Sequence, residues 1–290
     1  MFLADYHIHS YFSNDSDAPL EDLVKAAISH GASEIAITDH HETIQQVGPF
    51  LNDVYQMDKW PPKYPTWMTP THDTPVDYRA VKKEIDELNE KYGDKIYIVY
   101  GIEAGQAQAN PGDVHEIVNS HPFDFVLAST HTLDNDLDLY FIDFSKVDAE
   151  TVYREYLERL HKCIDYGNFD VMAHVNYAGR YIVRDTGIKY DYSIFEEEFR
   201  EIFKRLAHLG KGIEINTSGL FQGLDEPIPS LWLLKVYKDC GGEIVTVGSD
   251  AHFTEHVTRG VRFSYEMMKL AGFSAVATFR QRKVKFIDLD

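Results

Sequence analysis

The sequence has little cysteine and no long hydrophobic run. Its two cysteines, Cys163 and Cys240, are too few for a disulfide framework, and neither belongs to a C-x-x-C pair. No apolar stretch approaches the roughly 18 residues that a membrane-spanning helix needs, and the first residues lack the basic and apolar regions of a signal peptide. We therefore expect a reduced, cytoplasmic protein that has no membrane partner.

The sequence is also short of positive charge. It has 28 lysine and arginine residues against 47 aspartate and glutamate residues, which gives a net charge of −19. Nucleic-acid binding depends on basic side chains that neutralise phosphates, so we expect no nucleic-acid partner. A small phosphorylated molecule is compatible with this charge, because bound metal ions reverse the sign of a site locally. The sequence leaves the oligomeric state open.

Short β-rich segments alternate with amphipathic segments along most of the 290 residues. We predict seven strands, at residues 3–8, 34–38, 96–100, 123–128, 169–173, 212–216 and 243–247. The predicted helices lie at residues 19–29, 76–92, 113–119, 149–166, 192–209, 229–239 and 264–270. Regular β-α alternation is typical of parallel strands joined by right-handed crossovers, which predicts an α/β barrel or a doubly wound sheet.

One segment, residues 42–75, departs from this alternation. It contains six of the eleven prolines, together with Trp60 and Trp67. A stretch of this length without secondary structure is uncommon inside a domain unless it is functional. It is either a surface excursion that packs on its own aromatic side chains or a lid over a site at the strand ends. Because no linker divides the chain, we expect residues 1–290 to form a single domain with this insertion.

Histidine and carboxylate residues occur at the C-terminal ends of the predicted strands. In the first strand, alternation places His7 and His9 on one face, with Tyr6 and Ile8 on the other. The later strands are followed by His40 of T-D-H, Glu103 of G-I-E, His131 of S-T-H, His174 of A-H, and Asp250 and His252 of S-D-A-H. Catalytic groups of parallel α/β barrels lie at that end of the strands. We therefore predict that these side chains form one site.

The residue types in this set predict a metal centre. Imidazole and carboxylate groups without thiolate suit zinc, iron or manganese. The set exceeds the roughly four to six donors that one such ion takes. Asp15, in the loop after the first strand, is a further candidate. We therefore expect two or three divalent metal ions, with some carboxylates shared between ions.

These motifs, in this order, resemble those of the polymerase and histidinol phosphatase (PHP) family, and the resemblance extends from Asp5 to His252. It implies a distorted (β/α)7 barrel of parallel strands with a trinuclear metal cluster at its C-terminal face. The implied ligand sets are His7, His9, Glu103 and Asp250 for one ion, Glu103, His131 and His174 for a second, and Asp15, His40 and His252 for a third. Asp17 is an alternative to Asp15 in the same loop.

Within the PHP family, the chain resembles the stand-alone histidinol-phosphate phosphatases by its size, its segment 214–219 and its Arg180-Tyr181 pair. This resemblance implies hydrolysis of a small phosphate monoester, L-histidinol phosphate, to L-histidinol and phosphate in histidine biosynthesis. Attack by a hydroxide between two metal ions is the expected mechanism, since metal ions lower the pKa of bound water. The alternatives are a PHP phosphoesterase for a nucleotide, a sugar phosphate or a phosphodiester, and an amidohydrolase. The amidohydrolase fits less well because that class commonly uses a bridging lysine, where Glu103 stands here.

Further side chains are candidates for substrate contact, catalysis and support of the ligands. Arginine binds two phosphate oxygens at once through its planar guanidinium group. The candidates for phosphate or substrate contact are Arg180, Arg184, Arg259 and Asn216. The candidates for catalysis are Glu103, Asp250 and His252, with Asp250 or His252 as a source of the proton for the leaving alkoxide. Asp5 and Asp39 adjoin ligand positions, and we expect them to accept hydrogen bonds from imidazoles.

Overall fold

The computed structural model describes residues 1–42, 76–133 and 138–289, and a barrel of parallel strands lies at its centre. The barrel strands are β1 (Ala4–Ile8), β2 (Glu34–Ile37), β3 (His40–Glu42), β4 (Tyr97–Gly105), β5 (Phe125–Ser129), β6 (Val171–Met172), β7 (Gly212–Asn216) and β8 (Val245–Gly248). Seven of them are hydrogen-bonded in the order β1-β2-β4-β5-β6-β7-β8, and the short β3 pairs with the second half of β4. The barrel closes where the amide of His9 donates to the carbonyl of Ala251 at 2.9 Å. The predicted distorted (β/α)7 barrel is therefore confirmed.

Helices pack around the strands. They are α1 (Leu20–Ser29), α2 (Tyr78–Tyr92), α3 (Pro111–Ser120), α4 (Ala149–Tyr166), α5 (Tyr177–Thr186), α6 (Glu196–His208), α7 (Leu231–Asp239) and α8 (Val261–Leu270). Several are capped at the N-terminus by a residue whose side chain accepts a hydrogen bond from an amide of the first turn. These capping residues are Asp77, Asn110, Asp148 and Ser230. The amphipathic helices turn their apolar stripes toward the strands, which builds the outer core of the barrel.

Helix α5 is not predicted by the sequence pattern. Residues 177–182 are buried, whereas residues 183–186 are partly or fully exposed. The helix has only ten residues, and its buried half contains Gly179 and the charged Arg180, so the sequence does not mark it as a helix. This helix follows β6 directly and carries Arg180, one of the predicted phosphate contacts.

A β-bulge in β1 decides which of its side chains face the barrel interior. Between its pairings at residues 5 and 8, β1 has one residue more than β2. Tyr6 packs against Phe125 inside the barrel, with 5.0 Å between ring centroids. His7, the next residue, also points inward, because its Nε2 lies 3.1 Å from Glu103. The predicted placement of Tyr6 and His7 on opposite faces is therefore wrong, and the bulge is what turns His7 into the interior.

Two further strands, which the sequence pattern does not predict, close the end of the barrel opposite to the strand C-termini. β9 (Ala275–Arg280) and β10 (Lys283–Asp288) form an antiparallel hairpin. The ring of Phe279 lies 6.5 Å from that of Tyr6 and 5.0 Å from that of Phe125, between centroids. The amide of Phe279 also donates a hydrogen bond to the Tyr6 hydroxyl at 2.8 Å. The hairpin therefore seals the interior with an apolar layer.

The proline-rich segment predicted at residues 42–75 lies outside the described residues from position 43 onwards. Glu42 itself is the last residue of β3. Within the three described ranges, no helix combines the length and the apolar character that crossing a bilayer requires.

We expect Phe279→Ala to lower the free energy of unfolding by about 3–5 kcal/mol, because it empties a closely packed inner site. Phe286→Ala, in the paired strand, is the matched control. Phe279 is 3% exposed and Phe286 is 47% exposed, so the control loses less than about 1 kcal/mol. Urea unfolding followed by circular dichroism measures both changes. Equal losses in the two variants would show that the hairpin does not seal the barrel.

Candidate metal centre

Nine histidine, aspartate and glutamate side chains converge at the C-terminal end of the barrel strands. They are His7, His9, Asp15, His40, Glu103, His131, His174, Asp250 and His252, the set that the sequence predicts as metal ligands. Glu103 is fully buried at the centre of this cluster. Parallel strands bring these residues together because their C-terminal ends share one rim of the barrel.

His7, His9 and Asp250 surround one oxygen of the Glu103 carboxylate. The Nε2 atoms of His7 and His9 lie 3.1 and 3.4 Å from Oε2 of Glu103. Oδ1 of Asp250 lies 3.7 and 3.3 Å from the same two nitrogens. These four side chains are the first ligand set that the family resemblance implies.

The other oxygen of Glu103 faces His131 and His174. Oε1 lies 3.3 Å from Nε2 of His131 and 3.2 Å from Nε2 of His174. The two Nε2 atoms are themselves 3.3 Å apart. Glu103 therefore presents one oxygen to each of two donor groups, which is the arrangement of a bridging carboxylate.

Asp15, His40 and His252 form a third group at the outer side of the cluster. Oδ2 of Asp15 lies 2.8 Å from Nε2 of His252 and 3.3 Å from Nε2 of His40. Asp17, the alternative in the same loop, is exposed. The side chains of the third group are 16–25% exposed, whereas that of Glu103 is 1% exposed, so this group lies nearest to solvent.

The separations within these groups fit metal ligation. Donor atoms about 2.0–2.1 Å from a tetrahedral zinc ion lie about 3.3–3.4 Å from one another. His9 Nε2 and His40 Nδ1 are buried and make no hydrogen bond within the described part of the chain, although carboxylate oxygens lie 3.0–3.4 Å away. A buried nitrogen without a partner is costly, and a cation between these atoms would satisfy it. The donors therefore fit a cluster of divalent metal ions.

The electrostatics of the cluster keep three of its donors in the state that binds metal. Burial opposes the charge of Glu103 and Asp250, but the surrounding histidines hold the pKa of both carboxyl groups well below its usual range. Burial and the neighbouring His40 and His252 lower the pKa of His9 to about 3. Ligation requires ionised carboxylates and neutral imidazoles, so these three groups are ready to bind.

Four other imidazoles favour the protonated form, whose proton a metal ion must displace. Burial lowers the pKa of His7, His40, His131 and His252, but the neighbouring carboxylates outweigh it and raise the pKa of each, that of His131 to about 10. A protonated imidazole cannot bind a metal ion, so metal binding at this cluster releases protons.

The backbone is constrained where two of the strands end. His174 has a φ of +26° and Asp250 a φ of +56°, and non-glycine residues with positive φ are uncommon and cluster at functional sites. Gly248 precedes Asp250 by two residues, and a Cβ atom there would overlap Oε1 of Glu214 and Cβ of His7. The close approach of β8 to the cluster therefore requires glycine at position 248.

Glu214 and Glu42 support two of the imidazoles from behind, and the sequence pattern identifies neither. Nδ1 of His7 lies 2.7 Å from Oε1 of Glu214, and Nδ1 of His131 lies 2.9 Å from Oε1 of Glu42. An acceptor on the second ring nitrogen fixes the tautomer and orients the ring. Glu214 lies two residues before Asn216 in β7, so alternation along the strand places both side chains on the same face. That alternation is the signal that could have identified Glu214.

Asp5 and Asp39, which the sequence predicts as acceptors for imidazoles, hold loops instead. Asp39 accepts a hydrogen bond from the hydroxyl of Ser13 at 2.9 Å, and the same hydroxyl lies 3.3 Å from Nδ1 of His9. Asp39 therefore acts on His9 only through Ser13. Asp5 accepts from the amide of Ser249 at 2.8 Å, which ties β1 to the loop after β8.

Arg180 is buried beside the cluster. Its Nη1 donates to the hydroxyl of Ser218 at 3.2 Å, and its Nη2 donates to the hydroxyl of Tyr181 at 2.8 Å. Its guanidinium carbon lies 4.1 Å from the ring centroid of Tyr177, and Nη1 lies 4.0 Å from Oδ2 of Asp250. Among the described residues, its Nε has no hydrogen-bond partner. The structure thus brings this predicted phosphate contact to the edge of the metal ligands.

The other two predicted arginine contacts have different surroundings. Arg184 donates to the carboxylate of Asp185 and to two backbone carbonyls within residues 140–142, at 2.7–2.9 Å. Arg259 is exposed, and its guanidinium carbon lies 3.4 Å from the ring centroid of Phe221. The contacts of Arg184 hold the loop at residues 140–142, and its role as a phosphate contact stays a prediction.

Asn216, predicted as a substrate contact, lies between two carboxylates. Its Nδ2 donates to Oδ2 of Asp250 at 3.3 Å and to Oε2 of Glu214 at 3.2 Å. Its Oδ1 accepts from the amide of Ser218 at 3.0 Å. Asn216 is fully buried and its amide orients Asp250, while its contact with substrate stays a prediction.

Comparison with known proteins identifies relatives along nearly the whole chain. A family model described as the PHP domain matches residues 5–218. The histidinol-phosphatase of Lactococcus lactis is 30% identical over 97% of this chain and 95% of its own length. The probable histidinol-phosphatase of Thermotoga maritima is 26% identical over 95% of each chain.

A solved structure shares the fold. The crystal structure of histidinol phosphate phosphatase from Lactococcus lactis, in complex with zinc, L-histidinol and phosphate, has a TM-score of 0.76 to this chain. It is 27% identical, and the superposition covers 98% of both chains. The family model spans most of this barrel and the relatives match it from end to end. The chain therefore belongs to the PHP family.

Proposed function

We propose that this protein is a metal-dependent phosphatase that hydrolyses L-histidinol phosphate to L-histidinol and phosphate, a step of histidine biosynthesis. The observation that carries the proposal is Glu103, whose two oxygens face two groups of imidazoles within reach of a buried arginine, Arg180. The relatives named histidinol-phosphatase, and the related structure that contains zinc, L-histidinol and phosphate, support the choice of substrate.

The proposed ligands follow the three groups of donors. They are His7, His9, Glu103 and Asp250 for one ion, Glu103, His131 and His174 for a second, and Asp15, His40 and His252 for a third. Bound zinc, iron or manganese would supply positive charge for the phosphate and lower the pKa of the water that attacks phosphorus. Glu103 is shared by the first two groups, so it also fixes their relative position.

Arg180 binds the phosphate oxygens that face away from the metal ligands. Its guanidinium is held by Ser218 and Tyr181 and lies over the ring of Tyr177, so its direction is fixed before the substrate arrives. The phosphoryl transition state is stabilised mainly by charge and by position. A fixed arginine beside the cluster supplies both.

Asp250 is ionised before the reaction, so it accepts a proton from the attacking water and passes that proton to the leaving oxygen. Its Oδ1 faces the ring nitrogens of His7 and His9, as a ligand does. Its Oδ2 faces Asn216 and Arg180 instead, toward the proposed phosphate position. Oδ2 is therefore the atom placed for proton transfer, while Oδ1 remains directed at His7 and His9 as a metal ligand.

We also propose that the protein acts in the cytoplasm. Its two cysteines, Cys163 and Cys240, are both free thiols, which suits a reducing compartment.

The substrate is tested by measuring phosphate release from L-histidinol phosphate and from a panel of nucleotides, sugar phosphates and phosphodiesters. Protein loaded separately with zinc, iron or manganese is used throughout. We expect the highest kcat/KM for L-histidinol phosphate. If L-histidinol phosphate is among the poorest substrates while another ester is hydrolysed well, the protein is a PHP phosphoesterase of different specificity.

We expect Glu103→Ala to lose more than one equivalent of metal, because its carboxylate faces two donor groups. His252→Ala is the matched control, since Nε2 of His252 faces Asp15 of the third group, and it should lose at most one equivalent. Elemental analysis of the purified variants gives both numbers, and circular dichroism confirms that they are folded. The same loss in both variants would exclude a bridging role for Glu103.

We expect Arg180→Ala to lower kcat/KM for the phosphate ester by about 100-fold or more, because it removes a positioned charge from the transition state. Its metal content should equal that of the wild type. Arg200→Ala is the control, since Arg200 lies on the outer helix α6 and pairs with Glu196. Wild-type kinetics for Arg180→Ala would remove this residue from the phosphate site.

A further inference from the structure

We propose that Glu42 is a positioning residue of the metal centre, whose carboxylate holds the Nδ1–H of His131 so that Nε2 of the same ring faces the metal. Glu42 belongs to none of the three ligand groups. The inference rests on the metal site proposed at His131 and His174, and it does not depend on the identity of the phosphate ester.

The contacts of His131 divide its ring into two sides. Nδ1 lies 2.9 Å from Oε1 of Glu42. Nε2 lies 3.3 Å from Oε1 of Glu103 and 3.3 Å from Nε2 of His174. A carboxylate at Nδ1 requires the proton to be on that nitrogen, which leaves the lone pair of Nε2 free for ligation.

A neighbouring amide anchors the second oxygen of Glu42. Nε2 of Gln106 donates to Oε2 of Glu42 at 3.2 Å. The Oε1 atom of Gln106 accepts in turn from the hydroxyl of Thr132 at 3.1 Å, immediately after His131 in the chain. The carboxylate is therefore held at both oxygens, by His131 on one side and by Gln106 on the other.

The backbone of β4 leaves room for this carboxylate. Glu42 pairs with Gly105 across β3 and β4. A Cβ atom at Gly105 would overlap both carboxylate oxygens of Glu42. The φ of Gly105 is not in the left-handed region, so the backbone itself does not require glycine here. Glycine at position 105 therefore leaves the space that the Glu42 carboxylate occupies.

Carboxylate support from outside the three ligand groups is closest at two histidines of the cluster. A glutamate outside these groups lies within 2.9 Å of the far nitrogen of His7 and of His131, and Glu42 also lies 3.4 Å from Nδ1 of His40. The far nitrogen of His9 faces a serine hydroxyl, and that of His252 faces a backbone carbonyl at 2.9 Å. Each of the two groups that share Glu103 therefore contains one histidine whose donor strength a carboxylate increases.

The test compares Glu42→Ala, Glu42→Gln and Gly105→Ala with the wild type and with Glu87→Ala, an exposed control on α2. Each protein is loaded with zinc, and zinc is then withdrawn by a chelator of known affinity. In Glu42→Ala, we expect one zinc ion to bind about 10- to 100-fold more weakly, the usual effect of removing such a support. Gly105→Ala should behave similarly because it displaces the carboxylate. Glu42→Gln should recover part of the affinity, since its amide oxygen still accepts from Nδ1–H.

Proton NMR of the zinc-loaded proteins gives a second readout. A strongly deshielded imidazole N–H proton should be present in the wild type and absent from Glu42→Ala, while the corresponding signal of His7 remains. The proposal is overturned if Glu42→Ala keeps wild-type zinc affinity and this proton, or if Gly105→Ala keeps both. Failure of the proposed metal centre would appear separately, as a wild-type protein that binds no zinc.

Discussion

The burial of the Glu103 carboxylate among imidazoles is the constraint around which the rest of the structure is arranged. Its two oxygens lie 3.0–3.4 Å from ring nitrogens of five histidines, and its side chain is 1% exposed. A buried carboxylate costs several kcal/mol unless opposite charge lies close to it. Asp15 and Asp250 add further negative charge to the same space. Divalent cations would compensate all three groups, so metal binding and the stability of this end of the barrel are coupled.

The barrel interior is divided into an apolar half and a polar half. Phe279, Tyr6 and Phe125 fill the end that the hairpin closes, and the metal ligands fill the other. The bulge in β1 allows this division, because it directs two consecutive side chains into the interior. Tyr6 packs in the apolar layer, and His7 lies in the cluster of proposed ligands above it. With the lower end sealed, the most exposed side chains of the cluster in the described residues, Asp15, His40 and His252, lie at the strand C-termini. The apolar layer thus limits solvent around the buried carboxylates.

The convergence of the nine proposed ligands could be predicted because they lie at or after the ends of parallel strands, which meet at one rim. Features that depend on pairing between distant segments could not. Glu42 belongs to a three-residue strand that is recognisable only through its pairing with β4. Glu214 can be identified only when the face of β7 that points into the barrel is known. Arg184 follows a ligand-bearing strand as Arg180 does, but its partners are backbone carbonyls that no sequence pattern indicates. Helix α5 is short, and its buried half contains Gly179 and the charged Arg180, which hides its helical pattern in the sequence.

A chain of hydrogen bonds joins the proposed phosphate-binding arginine to the metal ligands. Arg180 donates to Ser218 at 3.2 Å, and the hydroxyl of Ser218 donates to Oδ1 of Asn216 at 2.6 Å. Nδ2 of Asn216 donates to Asp250 and to Glu214, which holds His7. Glu214, Asn216 and Ser218 lie on β7 and the turn that follows it, and all three are buried. A rigid part of the barrel therefore fixes the distance between Arg180 and the proposed ligands. The turn after β7 therefore determines the position of the phosphate relative to Asp250 as much as Arg180 does.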